Sequence, residues 1–320
     1  MKYEFTEVRD SGVWDDFVAN SPQGSVFSRT HFLEAHGTEF RTVGVTAEGV
    51  LLLGAPLLLR EGRILQAPNP LTMYQGPMLA RQVCELPVHR RTSQVLALCD
   101  ALLGGLEATC ERISFCVHHR FPDLRSFSWF HYHERDKGLF SMELRYTGLL
   151  DLARTADWAA YLGDLRDVRR QEYRKALSSG WIVEPSRDLD LLDHLHHQTF
   201  ARQGLEQEED VSQCVRAVAS AALAHNFGEM LVCRNPNGAV AGATFFLHDP
   251  ECGYYWVGAN DPEFRKTGSG TLLLAESIRR CRERGAKSVD MVGINSPNRG
   301  DFKTSFNAVP TPYWLATWAR

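Results

Sequence analysis

The stretch YYWVGANDPEFRKTGSGTLLLAESIRRCRERGAKSVDMV, residues 254–292, decides the fold. Its aromatic and β-branched start, residues 254–258, is typical of a strand, and a glycine-containing loop follows. Residues 270–284 predict a helix that Gly285 ends as a C-terminal cap. Residues 288–292 are again apolar and β-branched. A strand, a loop, a helix and a strand in this order predict an α/β unit.

The same order of elements occurs twice in the chain. Residues 231–247 predict a hairpin with an Asn-Gly turn before the strand at 254–258, and residues 43–59 predict a hairpin with an Ala-Glu-Gly turn. After this first hairpin the sequence predicts a strand at 74–79, a helix at 92–112 and a strand at 113–117. We therefore expect an α/β (α+β) fold with two similar domains in tandem, residues 1–152 and 153–320, each a mixed β-sheet flanked by helices.

Composition limits the class of protein. The net charge is −4, whereas a non-specific nucleic-acid binder would carry a basic excess, so DNA is not an expected partner. No run approaches the roughly 20 apolar residues of a membrane span, and the N-terminus lacks an apolar signal core. The eight cysteines form no Cys-x-x-Cys pair, which indicates free thiols in a reducing compartment. We expect a cytoplasmic protein without a membrane span.

Histidines offer only weak candidates for metal ligands. His131, His133 and the adjacent Glu134 resemble a metal-binding pair on a strand, but no further carboxylate or cysteine stands at a helpful spacing. We therefore predict no metal site.

The loop Arg265-Lys-Thr-Gly268-Ser269-Gly270 is the sharpest local motif. Glycines let backbone N–H groups approach a ligand closely, and a helix N-terminus favours negative charge. The loop therefore predicts a binding site for the phosphates of an activated donor, although a glycine-rich turn that only begins the helix would have the same sequence. The matching loop of the first half, residues 80–91, has no glycine. We expect the second domain to handle the donor and the first to face the acceptor.

A basic face is predicted on the helix near residues 165–177. Arg166, Arg170 and Arg174 recur at every fourth position and would project from one side. They are candidates for binding the acceptor or a polyanion. The alternative is a solvated face whose arginines pair with Asp167 and Glu172.

The C-terminal motifs carry a family resemblance. The loop Arg-x-x-Gly-x-Gly resembles the acyl-CoA phosphate loop of GNAT acetyltransferases. The turn Asp290-Met-Val-Gly293 and the later Phe302-Lys303-Thr-Ser-Phe306 resemble the Fem-like transferases, which place two GNAT-like domains in one chain. The resemblance implies transfer of an acyl group to an amine, and it places Lys303 at the reaction centre. Asn307 departs from the glycine common at that position of the family.

The resemblance leaves two donors open. The peptidoglycan-bridge members of the Fem-like family use aminoacyl-tRNA, which implies charged tRNA as a partner and is the donor that we favour. The phosphate-type loop instead favours acyl-CoA and a GNAT-type N-acetyltransferase. Either donor would be a co-substrate, and no bound cofactor is expected. The acceptor would be an amine on a small molecule or a peptide.

Direct transfer needs a neutral amine, aligned reactants and stabilisation of the carbonyl oxygen, but no enzyme nucleophile. Lys303 is the candidate for stabilising that oxygen. Tyr254 or its neighbour Tyr255 could return a proton to the leaving group, and Asp290 is one of several candidates for the general base. The alternative from another class is a catalytically silent double-GNAT fold that only binds.

Overall fold

The structure is a computed structural model that describes residues 2–67, 71–154, 156–201 and 209–320. The chain divides into two compact units, Met1–Arg145 with Pro312–Arg320, and Tyr146–Thr311. The sequence-based division falls at residues 152 and 153 and leaves the C-terminus in the second domain. The compact units differ from that division because two long strands each begin in one unit and end in the other.

The first unit contains an antiparallel sheet in the order β1-β2-β3-β4, in which β5 also pairs with β3. A further strand, β6, pairs antiparallel with the C-terminal strand β13. The elements are β1 (Glu4–Glu7), α1 (Ser11–Asn20), α2 (Thr30–His36), β2 (Glu39–Ala47), β3 (Val50–Arg60), β4 (Arg63–Ile64), β5 (Met78–Leu79), α3 (Arg81–Cys84), α4 (Val88–Glu107), β6 (Arg112–Val117), α5 (Arg125–Trp129), the start of β7 (Ser141–Asp151) and the end of β13 (Val309–Ala319).

Helix α4 covers the core of the first unit. Its apolar side chains recur at helical spacing, and residues such as Leu98, Leu102 and Leu106 are buried against strands β2 and β3. The predicted hairpin is confirmed, with Glu48 and Gly49 both at positive φ in its two-residue turn.

The second unit contains a mixed sheet in the order β7-β12-β11-β10-β9-β8. Among the strands that the structure describes in this unit, β11 and β12 alone pair in parallel, and α10 connects them. The elements are α6 (Trp158–Asp164), α7 (Asp167–Ser178), β8 (Ile182–Ser186), α8 (Leu189–Ala201), α9 (Glu209–Ala224), β9 (Gly228–Arg234), β10 (Val240–His248), β11 (Cys252–Asn260), α10 (Ser269–Glu283), β12 (Ser288–Asp290) and α11 (Pro297–Thr304). The predicted α/β fold class is confirmed. The sheet of the second unit is mixed, as predicted, whereas the described strand pairs of the first unit are antiparallel.

Two local features of this unit are a bulge in strand β11 and the glycine that ends helix α10. Phe245 pairs with Val257 and Phe246 with Tyr255, so Trp256 is an extra residue that forms a β-bulge in β11. Gly285 follows α10 with φ 86°, and its N–H donates to the carbonyl of Arg282, as the predicted C-terminal cap requires. The helix is thus bounded where the sequence placed it.

Further predictions concern the chain as a whole. All eight cysteines are free thiols, as predicted. Across the described ranges, no helix combines the length and apolarity needed to cross a bilayer.

Candidate functional site

The turn that follows β12 is the centre of the candidate site. Asp290 is buried at 1% exposure, and its Oδ1 accepts hydrogen bonds from the Thr147 hydroxyl and from the Val292 N–H at 2.8 Å. Val292 and Gly293 both have positive φ, 47° and 73°. A β-branched residue rarely adopts this conformation, so the bonds to Asp290 stabilise a strained turn.

Lys303, which lies on α11, donates hydrogen bonds to the same turn. Its Nζ donates to the carbonyls of Met291, Val292 and Gly293 at 2.5, 3.0 and 3.1 Å. The ammonium also lies 5.1 Å from the centre of the Tyr255 ring. Three N–H groups thus meet three carbonyl dipoles, and a positive charge is held at a fixed place after β12.

The aromatic residues beside Lys303 fix the direction of its side chain. Phe306 is fully buried, and its ring lies 5.3 Å from that of Phe302. Arg169 of α7 lies over the other side of Phe302, at 4.9 Å from the ring centre. Phe302 and Lys303 lie on helix α11, and Phe306 lies in the turn that follows the helix, where its ring packs against that of Phe302.

The structure separates the two candidate tyrosines. Tyr254 is buried, its hydroxyl donates to Asp249 Oδ2 at 2.8 Å, and burial raises its pKa well above the usual value. Tyr255 points the other way and stacks on Phe246 below Lys303. Of the sequence candidates, Lys303 and Asp290 therefore meet at one turn, whereas Tyr254 bonds Asp249 and Tyr255 takes the place beside the ammonium.

The glycine loop has a packing requirement of its own. Gly268 is the N-cap of α10 with φ 85°, and a Cβ there would lie 2.3 Å from the carbonyl oxygen of Glu172 in α7. The Glu172 carboxylate bonds the Thr271 hydroxyl at 2.5 Å, in the first turn of α10. Ser269 accepts a hydrogen bond from Thr267, and Arg265 is exposed. Close packing of α7 therefore explains Gly268 without a ligand.

The three arginines near α7 do not form an unpaired ridge. Arg166, which precedes the helix, contacts both Asp301 oxygens at 2.8 and 3.0 Å. Arg170 pairs with Asp167 and donates to the Gly163 carbonyl at 2.7 Å. Arg174 is exposed. Arg170 thus pairs within the helix with Asp167, as the alternative interpretation expected, whereas Arg166 pairs with Asp301 of α11.

The histidine motif lies outside any strand. His131 follows α5 in a turn, and its Nε2 is 3.1 Å from a Glu107 oxygen. Within the part of the chain that the structure describes, no three His, Cys, Asp or Glu side chains are grouped as metal ligands would be.

One protein-family model matches part of the chain. Residues 163–304, which include the glycine loop and Lys303, match the acetyltransferase (GNAT) domain family. This part of the second unit is therefore similar to GNAT acetyltransferase domains. No curated protein matches the chain significantly in sequence.

Solved structures extend the likeness to the whole chain. FemX has 16% identity and a TM-score of 0.70, with 98% of this chain and 97% of FemX covered. A tandem GNAT protein from the clavulanic acid biosynthesis pathway has 13% identity and a TM-score of 0.55, with 99% and 98% covered. L-PGS from Bacillus licheniformis has 13% identity and a TM-score of 0.56, with 96% and 91% covered. The chain thus has the double-GNAT, Fem-like fold that its motifs predicted.

Proposed function

We propose that this protein is an N-acyltransferase that moves an aminoacyl group from aminoacyl-tRNA to an amine on a small molecule or a peptide. The observation that carries the proposal is Lys303, whose ammonium is fixed beside Tyr255 at the end of β12 in a chain with the fold of FemX. A fixed positive charge in a partly buried place is suited to stabilising an oxyanion. The donor places the reaction in the cytoplasm.

The proposed reaction is a direct transfer. The amine nitrogen attacks the carbonyl carbon of the aminoacyl ester, a C–N bond forms, and the C–O bond to the ribose breaks. The proton lost by the amine ends on the ribose oxygen that leaves. Lys303 keeps its proton and stabilises the negative charge that develops on oxygen, so no enzyme nucleophile is needed.

Electrostatics at α10 favours this donor over acyl-CoA. A pyrophosphate at the N-terminus of α10 would approach the Glu172 carboxylate, which already bonds Thr271 and whose charge is only partly offset by its ion pair with Arg169. Like charges at this distance repel. We also propose that Arg166, Arg170 and Arg174 contact the tRNA backbone, where phosphates would compete with their present carboxylate partners.

Acyl-CoA remains the second candidate donor. It is favoured by the left-handed Gly268 at the start of a long helix and by the exposed Arg265 nearby. The loop would then bind the pyrophosphate through backbone N–H groups, and the thiolate of CoA would be the leaving group.

Intact-mass detection of products tests these proposals. The protein is incubated with a panel of amines and with charged tRNA or acetyl-CoA in separate reactions, and uncharged tRNA is the control. We expect products heavier by an aminoacyl residue with charged tRNA only. Acetylated products would replace this proposal by the acyl-CoA candidate. No product from either donor, together with no binding of either, would favour a catalytically silent module.

A further inference from the structure

A cluster of aromatic and imidazole rings lies at the carboxyl end of β6 in the first unit. His118 and His119 directly follow that strand, and their rings stack with centres 4.1 Å apart. The Tyr74 ring lies 4.3 Å from His118 and 5.7 Å from His119, and Tyr313 lies 5.9 Å from Tyr74. The motifs that led to the proposed function do not involve any of these four residues.

Two buried polar atoms in the segments that carry these rings have no hydrogen-bond partner among the described residues. His118 Nδ1 accepts the backbone N–H of Arg120 at 3.0 Å. By contrast, His119 Nδ1 and Gln75 Nε2 have no hydrogen-bond partner among the described residues, and Gln75 is only 4% exposed. Leaving such groups unsatisfied opposes folding, and native proteins seldom do so without a reason.

The backbone that presents these side chains is strained. Leu71 and Tyr74 have positive φ, 65° and 57°, although neither is a glycine. The strain is held by Cys116, whose Sγ accepts the Tyr74 N–H at 3.3 Å and whose N–H donates to the Gln75 carbonyl at 2.9 Å. Gly76 also fits closely, since a Cβ there would lie 2.9 Å from the Cys116 carbonyl oxygen. Such strain tends to occur at binding and catalytic sites.

We propose that Tyr74, Gln75, His118 and His119 form a binding site for an uncharged polar group, an amide or a hydroxyl. Gln75 Nε2 would donate to the ligand, His119 Nδ1 would bond it as donor or acceptor, and the stacked rings would cover its apolar part. A peptide bond and a sugar hydroxyl share this chemistry. The proposal is independent of the donor, because it concerns binding to the first unit alone.

Charge argues for an uncharged ligand. Burial, followed by the charge of nearby Arg120, lowers the pKa of His119 to about 4. Burial, followed by the charges of His119 and Arg120, holds the pKa of His118 well below its usual value. Both imidazoles are therefore neutral at pH 7. A carboxylate entering the cluster would meet no buried cation there, because Arg120 is exposed.

Ligand-observed NMR on the full-length protein tests the site. The probes are a capped alanine dipeptide, N-acetylglucosamine, and N-acetylalanine as the carboxylate. The variants are His119→Phe, which keeps a ring but loses the nitrogen, and His119→Asn, which keeps a hydrogen-bonding group near Nδ1. His133→Phe is the matched control, because His133 is an exposed histidine of the same unit.

We expect one of the two uncharged probes to bind, and which one binds separates a peptide from a sugar. His119→Phe should weaken its binding by about 5- to 10-fold, the usual effect of losing one hydrogen bond. His119→Asn should recover part of the loss, and binding should not change between pH 6 and 8. The proposal is overturned if neither uncharged probe binds, if His119→Phe binds as the wild type does, or if the carboxylate binds more tightly and gains affinity at lower pH.

Discussion

At the scale of single residues, the Lys303 side chain has two roles: it bonds three backbone carbonyls and it carries a positive charge. Its three hydrogen bonds hold the carbonyls of residues 291–293, and its charge is what the proposed reaction needs. These two roles predict different consequences when the side chain is changed. Loss of the hydrogen bonds should lower the free energy of unfolding, and loss of the charge should lower turnover.

We predict that Lys303→Met lowers turnover by on the order of 10²–10³-fold. It should also lower the free energy of unfolding by about 1–3 kcal/mol, because buried carbonyls lose a charged donor. Turnover per folded molecule and urea unfolding measure the two effects. Lys287→Met is the control, since Lys287 makes an exposed ion pair with Glu251 in the same unit. Near-normal turnover per folded molecule would leave Lys303 with the structural role alone.

Among single residues, those that belong to one contiguous motif were predicted best from the sequence. Phe302, Lys303 and Phe306 were recognisable because they lie within one helical turn of each other. Thr147, which bonds Asp290, was missed because it is 143 positions away in the chain and carries no local signal. Tyr254 was chosen beside Tyr255 because strand periodicity cannot show which of two neighbours faces the turn.

The contact between α7 and α10 matters most at the scale of elements. Gly268 lets the two helices approach, and the Thr271 hydroxyl of α10 bonds both Glu172 and Arg169 of α7. The glycine that resembled a phosphate-binding residue is thus also a packing residue. Loss of donor binding in a Gly268 variant would not by itself identify a phosphate site.

We predict that Gly268→Ala lowers the free energy of unfolding by about 1–3 kcal/mol or more, as overpacking does. The new Cβ would lie 2.3 Å from a backbone oxygen, which cannot move aside as a side chain can. Gly238→Ala is the matched control, because Gly238 has a similar φ of 82° but open space around it. Thermal unfolding of both variants is the measurement, and equal losses would show that backbone strain alone is responsible.

Elements with local signals were predicted more accurately than those set by distant contacts. Both hairpins were found from their turns, and α10 from its glycine cap. The strand predicted at 74–79 is limited to Met78–Leu79, because Tyr74 takes a turn conformation that Cys116 holds from 42 positions away. Helix α11 also begins with a local signal, since Ser296 is its N-cap and Pro297 lies in its first turn.

At the scale of the whole molecule, buried histidines make the stability of the protein sensitive to acid. Burial lowers the pKa of His119 and of His248 to about 4, and that of His118 well below 6.5. An unfolded histidine titrates near 6.5, so between about pH 6.5 and 4 the unfolded chain binds more protons than the folded chain. The contribution of these histidines to stability should therefore be constant above pH 7 and fall on acidification.

We predict a loss of up to about 1.4 kcal/mol per pH unit from each such histidine, and less from His248, which is partly exposed. Urea unfolding at pH 7.5, 6 and 5 measures it. A His119→Phe, His248→Phe double variant should show a smaller dependence on pH than the wild type, and His133→Phe should show the same dependence. An unchanged slope in the double variant would contradict this assignment.

The fold class could be predicted at this scale because each half repeats one order of elements. The pairing of the C-terminal strand β13 with a strand of the first unit could not be predicted from the sequence. Pro310 and Pro312 disfavour a strand locally, yet β13 runs over Val309–Ala319 and pairs with β6. Pairing over such a separation depends on the assembled sheet and not on the residues nearby.

The return of β13 to the first unit sets an order for synthesis. A ribosome delivers all of residues 146–311 before it delivers the strand that pairs with β6, so the unit begun first is completed last. Trp318, which is fully buried in the core of that unit, is made only after all of residues 146–311. A chain ending at residue 311 should lose protease protection in its first unit and retain it in its second. Equal protection of both units would show that the first unit closes without its last strand.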